Sequence, residues 1–548
     1  MTATGGMMTG TGSELGPHVM AYPQQARSLL RVLVDQSESR PDADWLVIDS
    51  RDRLSFRAAR DETSRVGSAV RRGITPGDTV ALLMRNRIAF MPVLLGAQAG
   101  GGKAVPLNPE LRGSMLSRLL SRSEARVLVV EAGLVDRLIE LDGLAEVSLV
   151  VVSEEDAADS PLPESIHGVP VRGYGEWRNV EPLDLAAAIP DSSRIAMLMF
   201  TSGTSGGSKA AVWTHHYLFL AAACVADALD FGPSEVLSTP LQMCHIAGLQ
   251  VFAGASLVAG CTAHLKSTFS SSRWWDEIAA DNATFAMLMG PMTAAIMRAV
   301  PRAPQHRLHT LYVLPQPANR AEFEYRYGTT IVWQGWGMTE IFPHLPRLHP
   351  IDDVPADTIG PPPRWVDFGV VDEFDRLLPP DTLGEMVYRP LIPHAMASGY
   401  YNDHEATARA FRNFMFHTGD LGYYDTAGRI HFVMRSQDGI RVRGENVSAV
   451  ELESIALTHP NVLEVAAYAL PDEDGQQEIK LDVVVIQDIA LTALHIWLEH
   501  ELPRYMVPRW LEKRNSLPRT PSQRVEKYRL AAQGTDRPTV LDTPRRRR

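Results

Sequence analysis

Strand-like apolar runs alternate with helix-period segments twice in this chain, and that alternation restricts the fold more than any other feature. The first block reads TVALLMRN, AFMPVLLGAQAGG, KAVPLN, RGSMLSRLLSRSEA and RVLVVE, residues 79–131. The second reads EVLSTPL, CHIAGLQVFAGASLVAG, CTAHL, SSRWWDEIAADNA and TFAMLMG, residues 235–290. Short buried strands separated by single helical segments imply parallel sheets covered by helices, because a parallel connection needs a crossover. The fold class is therefore α/β, with two doubly wound parallel-sheet subdomains packed together.

The texture changes after about residue 350. FGVVDEFDRLLPPDTLGEMVYRP reads as short strands joined by Pro/Gly turns, and GYYDTAGRIHFVMR as a hairpin, which suits a small barrel-like subdomain. From 438 onward the chain reads β, α, β, turn, β, a compact α+β unit. The expected organisation is a loose tail over 1–24, a large domain over 25–436, a small domain over 437–533, and a disordered Arg-rich tail over 534–548. At 548 residues and 45% hydrophobic, the chain can bury more than one core. A net charge of −12 gives no reason to expect nucleic acid. No apolar stretch is long enough for a membrane span, and three cysteines suggest neither a disulfide framework nor a zinc site. With no signal-peptide pattern at the start, a cytoplasmic setting is the expectation.

The strongest chemical signal is MFTSGTSGGSKAAVWTHHYL, residues 199–218. Glycines let backbone N–H groups converge, hydroxyls add donors and Lys209 adds charge, which suits a polyphosphate. It is not a Walker loop, since Ser208 and Ala210 flank the lysine. Composition alone leaves a flexible Ser/Gly loop equally open. In WQGWGMTE (333–340), Trp336 stands between Gly335 and Gly337, ahead of Thr339 and Glu340. An aromatic so placed can stack on a base, and the following oxygens can hold phosphate and a divalent cation; the ordinary reading is a buried Trp in a tight turn. In FHTGDLGYYD, Asp420 can accept hydrogen bonds from a ribose diol, or be a solvated turn aspartate. RSQDGIRVRGEN gathers Arg435, Arg441 and Arg443, which would otherwise pass as a basic strand.

Taken in order, these segments, with PLQMCHIAG, YYNDHEATARAFRNFMFHTGD, RSQDGIRVRGENVSAVELE and the closing PRYMVPRW and PRTPSQR, resemble the adenylate-forming superfamily. Its acyl-CoA synthetase branch is the nearest in pattern, over residues 25–531. The resemblance implies a small mobile C-terminal domain and a two-step reaction: a carboxylate attacks the α-phosphorus of ATP, then a thiol, usually of CoA, displaces AMP. By position, Thr201, Ser202, Gly203, Thr204, Ser205, Gly206 and the loop up to Lys209 would cradle phosphates. Trp336 would lie on adenine, Thr339 would touch the α-phosphate, and Glu340 would hold Mg²⁺. Asp420 would take the ribose, with Arg435 nearby, and His245 would sit between acyl pocket and phosphate. Gly444 and its neighbours would form the face presented for thioester formation. The segments carrying Gly248, Gly290 and Gly335 would line the acyl pocket, where the small residues leave room for a bulky acid, such as one of secondary metabolism.

Three positions depart from the pattern. LPQPAN (314–319) replaces a Gly/Ala-rich adenine turn, and Gln437 occupies the hinge position, commonly Asp or Lys. Most consequentially, the closing loop reads Gln523-Arg524 where the family has Gly-Lys, the lysine that serves adenylation. Drift is one explanation, since the chain holds six lysines against 47 arginines. Yet Lys209 and Lys527 persist at motif positions, and a forked guanidinium fits poorly where a compact ammonium belongs. One misplaced donor can cost on the order of 10²–10³ in rate. The expectation is an acyl-CoA ligase weakened in making its own adenylate yet able to convert a supplied adenylate and CoA into a thioester. A separate adenylating enzyme would then be a partner. An ordinary two-step ligase using Arg524 or Lys527, transfer to a carrier-protein thiol, and a nucleotide-binding pseudoenzyme remain as alternatives.

Overall fold

The computed structural model describes residues 6–10, 14–153, 162–201, 208–314, 320–332, 335–341, 358–435, 439–442, 445–472, 476–518, 525, 527–537 and 539–543. Both blocks of alternating elements form sheets. The first is eight-stranded: Thr79–Leu83 lies centrally, parallel to Lys103–Leu107 on one side and Ala125–Glu131 on the other. At one edge Ile195–Thr201 turns back on Lys209–Thr214 as an antiparallel pair. The second is seven-stranded, with Val236–Thr239 parallel to both Thr262–Leu265 and Phe285–Met289. These strands read as near-continuous apolar runs because helices cover both faces: Val80 to Leu83 and Val127 to Val130 are all fully buried.

A five-stranded antiparallel sheet, including Val366–Val371, Gly384–Pro390 and Phe416–Tyr424, packs into the same apolar core as parts of both large sheets. The C-terminal unit comprises the hairpin strands Gly439–Val442 and Glu445–Ser448, the helix Ala449–Ala456, and a four-stranded sheet. Its apolar residues Ile440, Val442, Leu452 and Leu498 belong to one buried cluster with Leu83, Val105 and Leu116 of the eight-stranded sheet and its helices. The C-terminal unit is thus docked on the large domain.

The two segments read as tails are partly built in. Met8–Thr9 pairs with Val366–Val371, and Thr9 Oγ1 donates to Asp367 at 2.9 Å. Asp227 caps the helix Pro17–Met20, accepting from the His18 N–H at 2.9 Å, where the helix dipole favours a carboxylate. Near the other end Val540–Asp542 pairs antiparallel with Trp510–Lys513. Two- and three-residue edge strands carry no readable periodicity, so tertiary pairing alone reveals them. The segment expected to be one helix after His245 is a π-helix over Ala247–Gly254 that continues as the α-helix Ala255–Ala259. It ends at Gly260 with φ +68°, a left-handed cap that favours glycine. Among the described residues no helix is long and apolar enough to cross a membrane.

Candidate active site

The antiparallel pair at the edge of the eight-stranded sheet brings Thr201 directly opposite Lys209. Backbone bonds then stitch a second segment onto this edge: Val212 N–H donates to Gly399 O, Ser398 N–H to Val212 O, and Tyr401 N–H to Ala210 O, at 2.8–2.9 Å. Ala397 N–H donates to Glu340 O at 2.9 Å. The result places Tyr400 between two motifs that are far apart in sequence. Its hydroxyl donates to Glu340 Oε1 at 2.7 Å, and Lys209 Nζ lies 5.0 Å from its ring centroid. Glu340 and Tyr400 are buried. Burial lowers the Lys209 pKa, and Glu340 opposes that fall. Burial, then Glu340, raises the Tyr400 phenol, which stays a donor. Tyr217 donates to the carbonyl of Thr339 at 3.3 Å.

Trp336 is buried with its indole N–H on Asp420 Oδ2 at 2.9 Å. Its ring stacks on Tyr388, centroids 5.0 Å apart and planes 11° apart. One face of the indole is therefore already covered by protein, and the stack on adenine expected from the sequence has only the other face. Asp420 sits opposite Arg435 in the ladder between Phe416–Tyr424 and Ile430–Arg435.

His245 is held by a turn that Asn86 fixes from the bend after the strand Thr79–Leu83. The Asn86 amide donates to Leu241 O and Lys266 O, and accepts from Met243 N–H at 2.8 Å. His245 Nε2 lies 3.3 Å from Asn108 Nδ2 and 3.3 Å from Glu445 Oε1. Burial opposes its protonation, but Cys244 and Glu445 outweigh burial and hold the imidazole well above its ordinary pKa. Glu445 is reciprocally lowered: burial raises it, and His245 with Arg441 more than compensates. Glu445 comes from the C-terminal hairpin, so this ion pair bridges the two domains. A second bridge lies beside it. Ser208 Oγ is 3.1 Å from both oxygens of Glu451, and Arg118 also donates to that carboxylate.

The structure thus gathers Thr201, Lys209, Thr339 and Glu340 in one region and joins Trp336 to Asp420. Ser202, Gly203, Thr204, Ser205, Gly206, Pro315, Pro317, Gln437, Gly444 and Arg524 lie outside the described residues. Gly290 is buried at the start of the helix Gly290–Ala299, and Gly335 is partly exposed ahead of Trp336. At Gly248 a Cβ would stand 2.4 Å from Gln242 O, so backbone fills the space on that side of the glycine. Sequence reasoning missed Asn86, Tyr400, Glu445 and Glu451. The last three lie inside quoted motifs, but nothing in a motif says which neighbour a side chain will meet.

The AMP-binding enzyme family model matches residues 33–401, and the AMP-binding enzyme C-terminal domain model matches 451–524. The chain belongs to the AMP-binding enzyme family. Within this adenylate-forming superfamily its relatives place it in the acyl-CoA synthetase branch. It is 28% identical to a crotonobetaine/carnitine–CoA ligase of Citrobacter koseri, over 87% of this chain and 93% of that protein. It is 26% identical to a medium/long-chain fatty-acid–CoA ligase of Mycobacterium marinum, over 83% and 86%. The o-succinylbenzoate CoA synthetase of Bacillus subtilis, in complex with a product analogue, has the same fold. That structure superposes with a TM-score of 0.77 at 22% identity, covering 91% of this chain and 98% of the other. The matched residues include Lys209, Trp336 and Glu340, while Asp420 lies between the two matched segments.

Proposed function

We propose that this chain is an acyl-CoA ligase whose strong half-reaction is thioester formation: an acyl-adenylate and CoA go to acyl-CoA and AMP. The observation that carries the reading is the docked C-terminal hairpin, with Glu445 on His245. This is the hairpin that the family resemblance assigns to the thioester step. In the reaction the CoA sulfur bonds to the acyl carbon, the bond from that carbon to the phosphate oxygen of AMP breaks, and the thiol proton is released. Trp336 holds Asp420 toward the ribose by its N–H, Lys209 and Thr339 face the phosphate, and His245 stands at the acyl end.

Adenylation is the weakened half, for two reasons. Arg524 replaces the lysine of the closing loop. Lys527, the lysine three positions on, is 3.0 Å from Glu453 of its own domain, a carboxylate that also accepts from Ala467 N–H. That pairing makes Lys527 a poor substitute. Glu340 and Thr339 offer the oxygen donors that Mg²⁺ prefers, and the ion would neutralise phosphate charge there. The acid is proposed to be a bulky carboxylic acid, such as one of secondary metabolism, with the small residues Ala247 and Gly335 leaving room for it.

An ordinary two-step ligase is the second reading, favoured by the retained Lys209, Glu340 and Asp420 and by relatives named CoA ligases. A split assay separates them. One arm supplies acid, ATP and Mg²⁺ and follows pyrophosphate; the other supplies acyl-adenylate and CoA and follows thioester. Thioester with pyrophosphate release at least 10²-fold slower than the thioester step is expected from misplacing one transition-state donor. Comparable rates in both arms would refute the loss of adenylation, and no thioester in the second arm would refute the ligase.

A further inference from the structure

Two neighbouring tyrosines connect the nucleotide site to a cavity outside it. The segment ending in Tyr400 and Tyr401 runs extended along Lys209–Thr214, with Tyr400 bridged to Ala211 and the Tyr401 N–H on Ala210 O at 2.8 Å. Successive side chains of an extended chain point to opposite faces. Tyr400 therefore reaches Glu340 and Lys209, while Tyr401 turns away into a cavity of about 520 Å³. The cavity lies at the start of the strands Thr79–Leu83 and Lys103–Leu107, lined by Asp78, Lys103, Glu124, Arg126, Glu146 and Tyr401. Arg126 and Glu146 answer each other at 2.8 Å. The other three charges have no such partner. Among the described residues Lys103, Asp78 and Glu124 form no ion pair: Lys103 donates to Tyr401 Oη at 3.3 Å, Glu124 accepts from Tyr401 Oη and Asn402 Nδ2 at 2.8 Å each, and Asp78 accepts from the Thr75 N–H at 2.9 Å. Lys103 is half-buried, with its ammonium 4.6 Å from the Tyr401 ring centroid. Burial lowers its pKa, and Glu124 and Asp78 oppose that fall. Glu124 caps the helix Gly113–Ser123 in left-handed backbone at φ +51°, uncommon for a residue with a side chain. Burial, then Glu124, push the Tyr401 phenol up to about 12, so it stays the donor to Glu124 while accepting from Lys103.

We propose that this cavity is an effector site for a small amino-carboxylate zwitterion, whose binding is felt at the nucleotide site through Tyr401 and Tyr400. Charge complementarity selects that class. A carboxylate can pair with Lys103, and an ammonium with Asp78 and Glu124. A simple anion would face two carboxylates, and a simple cation would face the lysine. An ammonium on Glu124 competes with the Tyr401 hydroxyl for that carboxylate. Releasing Tyr401 loosens the segment that holds Tyr400 on Glu340, so occupancy of the cavity weakens the nucleotide site. By linkage the nucleotide weakens the zwitterion to the same extent. The inference does not depend on which half-reaction the enzyme favours.

The test uses the full-length protein and calorimetry, with glycine, β-alanine, 4-aminobutyrate and 5-aminovalerate as probes of increasing charge separation. Butyrate and butylammonium serve as single-charge controls. In the wild type at least one probe should bind saturably, about tenfold or more tighter than either control, and at saturation should weaken AMP binding about fivefold or more. Lys103→Met should abolish probe binding and leave AMP affinity at the probe-free wild-type value. Tyr401→Phe, which keeps the ring but lacks the hydroxyl, should bind AMP as weakly as the probe-saturated wild type and respond no further to the probe. Four results would overturn the inference: no binding by any probe, equal binding of the controls, probe binding that survives Lys103→Met, or a wild-type AMP affinity indifferent to the probe. The wild-type titrations alone decide if a variant misfolds.

Discussion

Replacing Glu445 with Gln removes the negative partner of His245 and leaves the hairpin's backbone unchanged, so it isolates the ion pair that joins the domains. The pair is 3.3 Å apart, with side chains 41% and 35% exposed. At that exposure an ion pair contributes at most about 1 kcal/mol, because solvent screens it and two side chains must be ordered. The variant should therefore form thioester from supplied adenylate and CoA up to about fivefold more slowly, by the usual conversion of free energy to rate. The sign of the pH dependence follows from the shifts. His245 is raised above its ordinary 6.5, so the contact is complete below that value and is lost as pH climbs through the raised one. Glu445 is lowered, so its side of the contact fails only in acid, outside the working range. The assay is the ratio of wild-type to Glu445→Gln rates between pH 6 and about 9.5, which cancels the ionisation of the CoA thiol itself. The ratio should be largest at the acid end and fall toward one as pH rises. A ratio of one throughout, or one that grows with pH, would refute the claim that this pair holds the docked arrangement.

Two further outcomes are expected. Tyr400→Phe removes the 2.7 Å hydrogen bond to the buried Glu340 carboxylate and should cost about 1.5–3 kcal/mol in denaturant unfolding, with weaker Mg·ATP binding by calorimetry. Unchanged stability and affinity would mean that Glu340 has enough other partners. Lys527→Met breaks the pair with Glu453 and should lower the unfolding midpoint while leaving ATP–pyrophosphate exchange as it was. Loss of exchange at unchanged stability would instead make Lys527 the adenylating cation.

Much of the architecture was legible because two of its sheets are buried on both faces. Runs such as VALLM and FAMLM are apolar throughout only when helices cover each side, and that pattern survives in the sequence whatever the exact packing. The motifs were legible for a related reason: a glycine-rich loop, or a Trp between glycines, follows from local backbone and chemistry. The short edge strands Met8–Thr9 and Val540–Asp542 were not, since two or three residues cannot display a period.

By itself the sequence determined the fold class, the order of the motifs and the anomaly at Arg524. The tertiary structure decided which face of Trp336 is covered, that the space at Gly248 is filled by Gln242, and that Tyr400 lies between Lys209 and Glu340. It also decided the meaning of two carboxylates. Within RGENVSAVELE, Glu445 and Glu451 look like ordinary acids at the start of a helix, where the dipole alone would explain them. Their partners His245 and Ser208 are remote, 243 positions away in the case of Ser208. A local pattern records what a residue can do; which charge it meets depends on how two units of the chain come to rest against each other.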